Sequence, residues 1–229
     1  MKLLFYDLET TGLGERAGIV EIAAILIDLD IDNNVKLLDS IDLKMCPIAG
    51  KIVESTALQK NNLSIEKIKK FPNNAVVFNQ FIDFLNKNCD KFNQNDKLTL
   101  CGYNNLHFDN DFLRNWFKEN NDNFFGSYFF NSSIDVMSNA SQYWMHYRPA
   151  FINFKLETIA KSFNINLEEN NFHNGLYDIK ITLKIFLKIL KDRPIKKFDQ
   201  KLATAMYLNM LELKKLPREE KQETVFYTI

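Results

Sequence analysis

The chain has 229 residues, 46% of them hydrophobic and 25% charged, and its 29 basic side chains cancel its 29 acidic ones. That is the composition of one globular domain, with room for a small appendage and a core that needs no covalent staples. A balanced charge argues against a protein that coats nucleic acid by charge alone, and it leaves open one that holds phosphate locally through bound ions and backbone N–H groups.

Residues 2–8 form a short apolar run ending in polar residues and glycines, which predicts a buried strand. Residues 19–29 and 35–45 predict two more, joined by a hairpin turn over DIDNN. Helical periodicity covers 64–70 and 74–88, broken at Phe71-Pro72. Residues 97–103 predict a fourth strand. A helix over 108–117 then places Phe108, Phe112, Leu113, Trp116 and Phe117 on one face. A fifth strand is expected within 127–135, and helices over 154–163 and 174–190. In the last of these, Leu176, Ile179, Leu183, Phe186 and Leu190 repeat at helical spacing. One more amphipathic helix is expected over 196–215, after Asp192-Arg193-Pro194. A hairpin meander followed by alternating strands and helices fits an α/β sheet covered by helices.

No stretch approaches a membrane span, and Asp7 interrupts the N-terminal apolar run after a few residues, so neither a membrane partner nor a secretory signal is expected. Cys46, Cys89 and Cys101 form no C-x-x-C pair and read as small hydrophobes in a reducing compartment, hence a cytoplasmic location.

Asp7 and Glu9 lie two residues apart at the end of a strand, so their side chains share a face. Two carboxylates there repel unless a cation lies between them, and oxygen donors suit Mg²⁺ or Mn²⁺. Taken alone, the pair reads better as two solvated acids, since D-x-E is a common pattern. Thr10, Thr11, Gly12 and Gly14 follow, a polar loop of small donors and glycines suited to a phosphate-bearing substrate. Asp109, with Asp111 as its rival, falls at a predicted helix start, where an N-cap aspartate is common. Asp178 falls early in another helix, where an acid also favours the helix dipole. His173 precedes Asp178 by five residues, with Gly175 between them. It reads as a general base working near neutral pH or as a surface histidine. His107 and His146 show no zinc spacing.

In order and spacing, FYDLETTG, GYNNLHFDNDFL and HNGLYD resemble the three motifs of the DEDDh (DnaQ-like) 3′→5′ exonucleases, and FKLETIAKSFNI at 154–165 resembles the helix between the last two. The resemblance covers roughly residues 1–190, with Asp109 at the acidic position of the second motif and Phe112-Leu113 at the hydrophobic pair after it. GYNN followed by FD, then IDVM, Arg148-Pro149 and FKLE are most similar to the catalytic domain of bacterial exonuclease I; the proofreading subunit of replicative polymerases is similar too. The resemblance implies an RNase H-like mixed β-sheet with helices on both faces. It places the exonuclease domain over 1–194 and a C-terminal helix and tail over 195–229. Bacterial exonuclease I carries further domains, for which this chain has little room, so processivity does not follow from the likeness.

The implied chemistry is two-metal hydrolysis. Asp7, Glu9, Asp109 and Asp178 hold two divalent ions, Mg²⁺ or Mn²⁺, about 4 Å apart, and His173 is the general base. The substrate is a nucleic acid 3′ end, preferably single-stranded DNA, and the product a nucleoside 5′-monophosphate. Thr10 and Leu13 contact the terminal nucleotide by the same likeness, and Thr11 is a further donor of that loop. Tyr103, Asn104 and Phe108 either line the strand path or serve as core and turn residues. The same carboxylates suit an oligoribonuclease-like or RNase T-like enzyme acting on RNA, since 2′-OH recognition is not written in the motifs. An RNase H-type endonuclease lacks a histidine at this spacing. A silent binding subunit would not need all five reactive residues. The tail segment Gln222 to Phe226 resembles the short peptides that dock bacterial proteins on the sliding clamp, although Val225 is small for an anchor. The alternative is that Val225, Phe226, Tyr227 and Ile229 pack on the domain.

Overall fold

The computed structural model describes residues 1–61, 63–168 and 174–192. The sheet is built from β1 (Lys2–Thr10), β2 (Ile19–Leu29), β3 (Val35–Lys44), β4 (Thr99–Gly102) and β5 (Ile134–Asp135), in spatial order β3-β2-β1-β4-β5. β1 pairs antiparallel with β2 and parallel with β4; β2 pairs antiparallel with β3, and β4 parallel with β5. The helices are α1 (Ser55–Lys60), α2 (Ile65–Ile68), α3 (Asn74–Asn88), α4 (Asp109–Glu119), α5 (Phe125–Tyr128), α6 (Val136–Tyr143), α7 (Leu156–Ser162) and α8 (Gly175–Asp192). The expected mixed sheet with helices on both faces is therefore met.

β1 is central, and both its faces are buried, which is why its sequence is a continuous apolar run and not an alternation. Leu4, Tyr6 and Leu8 point to one core, shared with Val77, Phe81 and Leu85 of α3 and with Leu113, Trp116 and Phe117 of α4. Phe78 meets Trp116 and Phe117 edge-on, at ring-centroid distances of 5.0 and 5.2 Å. Each such aromatic pair adds about 0.5–1.5 kcal/mol beyond its buried area. Leu3 and Phe5 point to the opposite core, shared with α6, α7 and α8. Phe5 packs on Phe186 at 5.3 Å and pins α8 against β1.

The predicted turn between β2 and β3 forms around Asp30, whose carboxylate accepts from the N–H groups of Asp32 and Asn34 while Asn33 takes a left-handed φ of 63°. The fifth strand is a correction. Of residues 127–135, only Ile134–Asp135 is strand, and Phe125–Tyr128 is a helical turn. The aromatic density that reads as a strand is there to fill the core: Phe125 and Phe129 pack on Phe117 at 5.2 and 6.0 Å. Asp135 then ends β5 by capping α6, accepting from the N–H groups of Met137 and Ser138. α8 lies where periodicity places it, but its fully buried face runs through Ile179, Thr182, Ile185, Phe186 and Ile189. Leu176, Leu183 and Leu190 pack only partly against the core.

Cys89 and Cys101 are buried and all three cysteines are free. Among the described residues no helix is long and apolar enough to cross a membrane. The expected helix over 196–215, the tail with Gln222 to Phe226, and His173 lie outside the described residues.

Candidate active site

The alternation of β1 decides the site. Leu3, Phe5, Asp7 and Glu9 share the face that carries α8, so the apolar row gives way to acids where the first turn of that helix arrives. β1 and β4 are parallel, so their C-terminal ends lie side by side and the chain leaving β4 returns beside Asp7. It does so through a tight corner. A Cβ on Gly102 would stand 2.7 Å from Cβ of Asn105 and 3.2 Å from the Tyr6 carbonyl oxygen. Asn104 takes a left-handed φ of 62°, and its N–H donates to Asp135 Oδ1 at 3.1 Å. A single 3₁₀ turn, Asn105–His107, then delivers Asp109 as the first residue of α4. Asp109 Oδ1 accepts from the Leu8 N–H at 3.2 Å, which hooks the helix to β1 between Asp7 and Glu9. Tyr6 adds a second hook from the other face, donating to Asn110 Oδ1 at 2.6 Å.

The electrostatics show that the acids are neighbours. Burial, followed by the charges of Asp109, Glu9, Asp178 and Glu21, holds the Asp7 carboxyl well above the usual carboxylate range. Glu9 is pushed up to about 8 by burial first, then by Glu21, Asp178 and Asp109, with Lys44 acting the other way. Asp109 rises to about 7 through burial, opposed by the Leu8 N–H. Asp111, the rival of Asp109, is exposed and is not among the largest influences on any of the three.

Carboxylates that are partly buried and repel one another bind cations, and oxygen-only donors favour hard divalent ions. Among the described residues no three Asp, Glu, His or Cys side chains already converge in the manner of a finished metal site. The fit to a divalent ion therefore rests on the chemistry and charge of the donor set. Asp7, Glu9, Asp109 and Asp178 are the residues that would hold it.

A stability test follows from the raised values. An acid whose folded pKa exceeds its unfolded value keeps a proton in the native state that the unfolded chain releases, so stability falls as pH rises. The loss begins above the unfolded values of about 4, and the share due to Glu9 is complete once Glu9 ionises, near 8. Metal-free protein should melt at a lower temperature at about pH 8.5 than at about pH 5.5, and Mn²⁺ should restore it at the higher pH. Glu9→Gln should flatten the decline; an unchanged slope in that variant contradicts the assignment of Glu9.

The loop after β1 holds the predicted substrate contacts in three different settings. Thr10 is buried, and its hydroxyl donates to the Gly12 carbonyl at 2.8 Å. Thr11 is 0% exposed; its hydroxyl donates to the Ile52 carbonyl and accepts from the Gly18 N–H. Its side chain is thus a brace within the loop and not an open donor, which corrects the expectation that it faces a phosphate. Leu13 is 79% exposed. With Phe108, His107 and Phe112 it lines a cavity of about 160 Å³ beside the loop, and Phe108 stacks obliquely on Phe112 at 4.7 Å. Asn104 acts through its backbone as the corner residue, and Tyr103 donates its hydroxyl to the Phe154 carbonyl at 2.6 Å, tying β4 to the segment before α7.

Two acids escape a reading of the sequence. Glu21 is buried on the same face as Asp7 and Glu9, directly across from Glu9. The signal for it is one glutamate inside IVEIAAIL, an apolar run where a lone charge is costly without a partner. Asp135 is buried beside Asp109 and helps to raise it.

The sequence model of the family described as Exonuclease matches residues 4–186. No curated relative matches the chain. Several solved structures do. The zinc-bound complex of Escherichia coli exonuclease I with single-stranded DNA is 21% identical, with a TM-score of 0.65 over 85% of this chain and 41% of that one. The same E. coli protein with a dT13 oligonucleotide is 19% identical, with a TM-score of 0.64 over 99% of this chain and 46% of that one. The chain thus spans less than half the length of the structures it resembles, and at this identity the likeness is one of fold, the RNase H-like sheet described above.

Proposed function

Because this chain belongs to the exonuclease family, we propose that it is a metal-dependent 3′→5′ exonuclease that releases nucleoside 5′-monophosphates, preferentially from single-stranded DNA. The observation that carries the reading is the meeting of Asp7 and Glu9 from β1, Asp109 from α4 and Asp178 from α8, acids that perturb one another's protonation at one end of the sheet. A structural cluster would be expected to neutralise such charge with basic side chains. Here Lys44 is the one cation among the largest influences on Asp7, Glu9 and Asp109, and it acts on Glu9.

Two divalent ions of the Mg²⁺ or Mn²⁺ type, when bound, supply charge neutralisation at the scissile phosphate and a water of lowered pKa. Asp7, Glu9, Asp109 and Asp178 hold them, fixed in place by the strand, the Leu8 hook and the α8 docking. His173 takes the proton of the attacking water. Leu13 and Phe108 offer apolar surface to the terminal nucleotide at the rim of the cavity. The three free cysteines agree with a reducing, cytoplasmic setting.

The preference for single strands is supported by the fold likeness to a protein solved with single-stranded DNA, and by half-exposed rings such as Phe108, which can stack on unpaired bases. Labelled single-stranded DNA, blunt duplex DNA and RNA of one sequence, each with Mg²⁺ or Mn²⁺, test it. The single-stranded DNA should shorten fastest. Equal rates on the duplex overturn the strand preference, and faster cutting of RNA moves the substrate to the oligoribonuclease-like alternative.

A further inference from the structure

A row of charge crosses the sheet beside the four carboxylates. Glu9, Glu21 and Lys44 are register partners on β1, β2 and β3, so their side chains stand on one face. Glu21 is 6% exposed, and a buried carboxylate is costly unless its oxygens are engaged. Oε2 faces Lys44 Nζ at 3.3 Å. Oε1 faces the first turn of α8, 3.3 Å from where a Cβ on Gly175 would stand; burial raises the Glu21 carboxyl above its usual range, and Lys44 and the Gly175 N–H oppose that rise. Oε1 makes no hydrogen bond of normal geometry among the described residues, so what holds it to the helix end is this close approach and the dipole of the Gly175 N–H.

The first turn of a helix has N–H groups with no helical acceptor. In α8 the Tyr177 N–H donates to Asn174 Oδ1 at 3.1 Å and the Asp178 N–H to the Asn174 carbonyl at 3.0 Å. Of the two remaining first-turn N–H groups, those of Gly175 and Leu176, the Gly175 N–H is the one at Glu21. Glycine is required at this point because a Cβ would also strike Cβ of Ala23 at 2.9 Å. The helix end is pressed onto β2 where Glu21 stands.

We propose that Glu21 is a positioning residue: braced by Lys44, it seats the N-terminus of α8 on the sheet and so sets Asp178 against Asp7 and Glu9. With Oε2 on Lys44 and Oε1 turned to the helix end, this role differs from that of a fifth metal ligand. This inference rests on the exonuclease reading of the four carboxylates.

The test compares the full-length wild type with Glu21→Ala, Glu21→Gln and Lys44→Met. The readouts are cleavage of single-stranded DNA, Mn²⁺ binding by calorimetry, and hydrogen exchange at the first-turn amides of α8. Glu21→Ala should lower kcat about 10–100-fold, the usual cost of losing a group that orients a metal ligand, and weaken Mn²⁺ binding to a similar degree. KM for the oligonucleotide should stay unchanged while exchange at the first turn of α8 accelerates. Glu21→Gln keeps an acceptor for the Gly175 N–H and should recover most of the loss. Lys44→Met should shift the same readouts in the same direction, by less. Glu21→Gln as damaging as Glu21→Ala, with exchange at the wild-type rate, overturns the proposal in favour of a direct charge on the metal. Wild-type kcat and exchange in Glu21→Ala overturn it outright. A wild type that binds Mn²⁺ but does not cut DNA sinks the exonuclease reading instead, and exchange together with Mn²⁺ binding still decides the role of Glu21.

Discussion

Asp7→Asn should abolish cleavage and leave the metal-free protein at least as stable as wild type. Burial first, then the charges of Asp109, Glu9, Asp178 and Glu21, work against ionisation of its side chain. A ligand in that position contributes several kcal/mol of charge stabilisation in the transition state, so its loss should cost about a thousandfold or more in rate. The amide has the same shape and removes one repelled, partly buried charge, so the fold has nothing to lose. Steady-state cleavage and a melting curve at about pH 8 without metal check both halves. A normal rate rules out Asp7 as a ligand. A collapse in melting temperature makes it a structural residue.

His173→Ala should slow cleavage about 10²–10⁴-fold, the usual worth of a general base. His173 lies outside the described residues; in the sequence it comes two positions before Gly175, where α8 begins, and five before Asp178. Mn²⁺ binding should persist, because the four carboxylates are untouched. The acidic limb of the pH–rate profile should flatten as well. If calorimetry shows that the variant no longer binds Mn²⁺, His173 is a ligand and another residue must take the proton.

Much of this arrangement was legible in the residues because it depends on short-range rules. The apolar run of β1 and the two-residue step from Asp7 to Glu9 fix a strand and a shared face, and the structure places both there. Asp109 was legible as a helix-start acid, and only the family resemblance set it ahead of Asp111. The difference is one hydrogen bond from Leu8, across a separation of 101 residues. The short fifth strand was overread because Phe125 and Phe129 serve side-chain packing on Phe117, which gives the same local signal as a buried strand. α6 was missed because Val136 and Ala140 alone are buried in it, too few to show a period. Glu21 was hidden for another reason. Only the register Glu9↔Glu21↔Lys44 turns an odd acid in an apolar strand into a neighbour of the site, and register is a tertiary fact. Thr11 carries the opposite lesson: a small donor beside paired acids reads as a substrate contact, yet it is fully used inside the loop.

Together, the four carboxylates of this chain should support metal-dependent removal of nucleotides from a 3′ end. The most direct measurement of this follows single-stranded DNA labelled at the 5′ end, with wild-type protein and with Asp7→Asn, in Mg²⁺ or Mn²⁺ and in chelator. Wild type with metal should give a ladder that shortens one nucleotide at a time while the label stays on the long fragments, and nucleoside 5′-monophosphates should accumulate. Chelator and Asp7→Asn should leave the strand intact. Immediate release of the label as a mononucleotide, a single internal cut, or an equal ladder from Asp7→Asn would contradict the account.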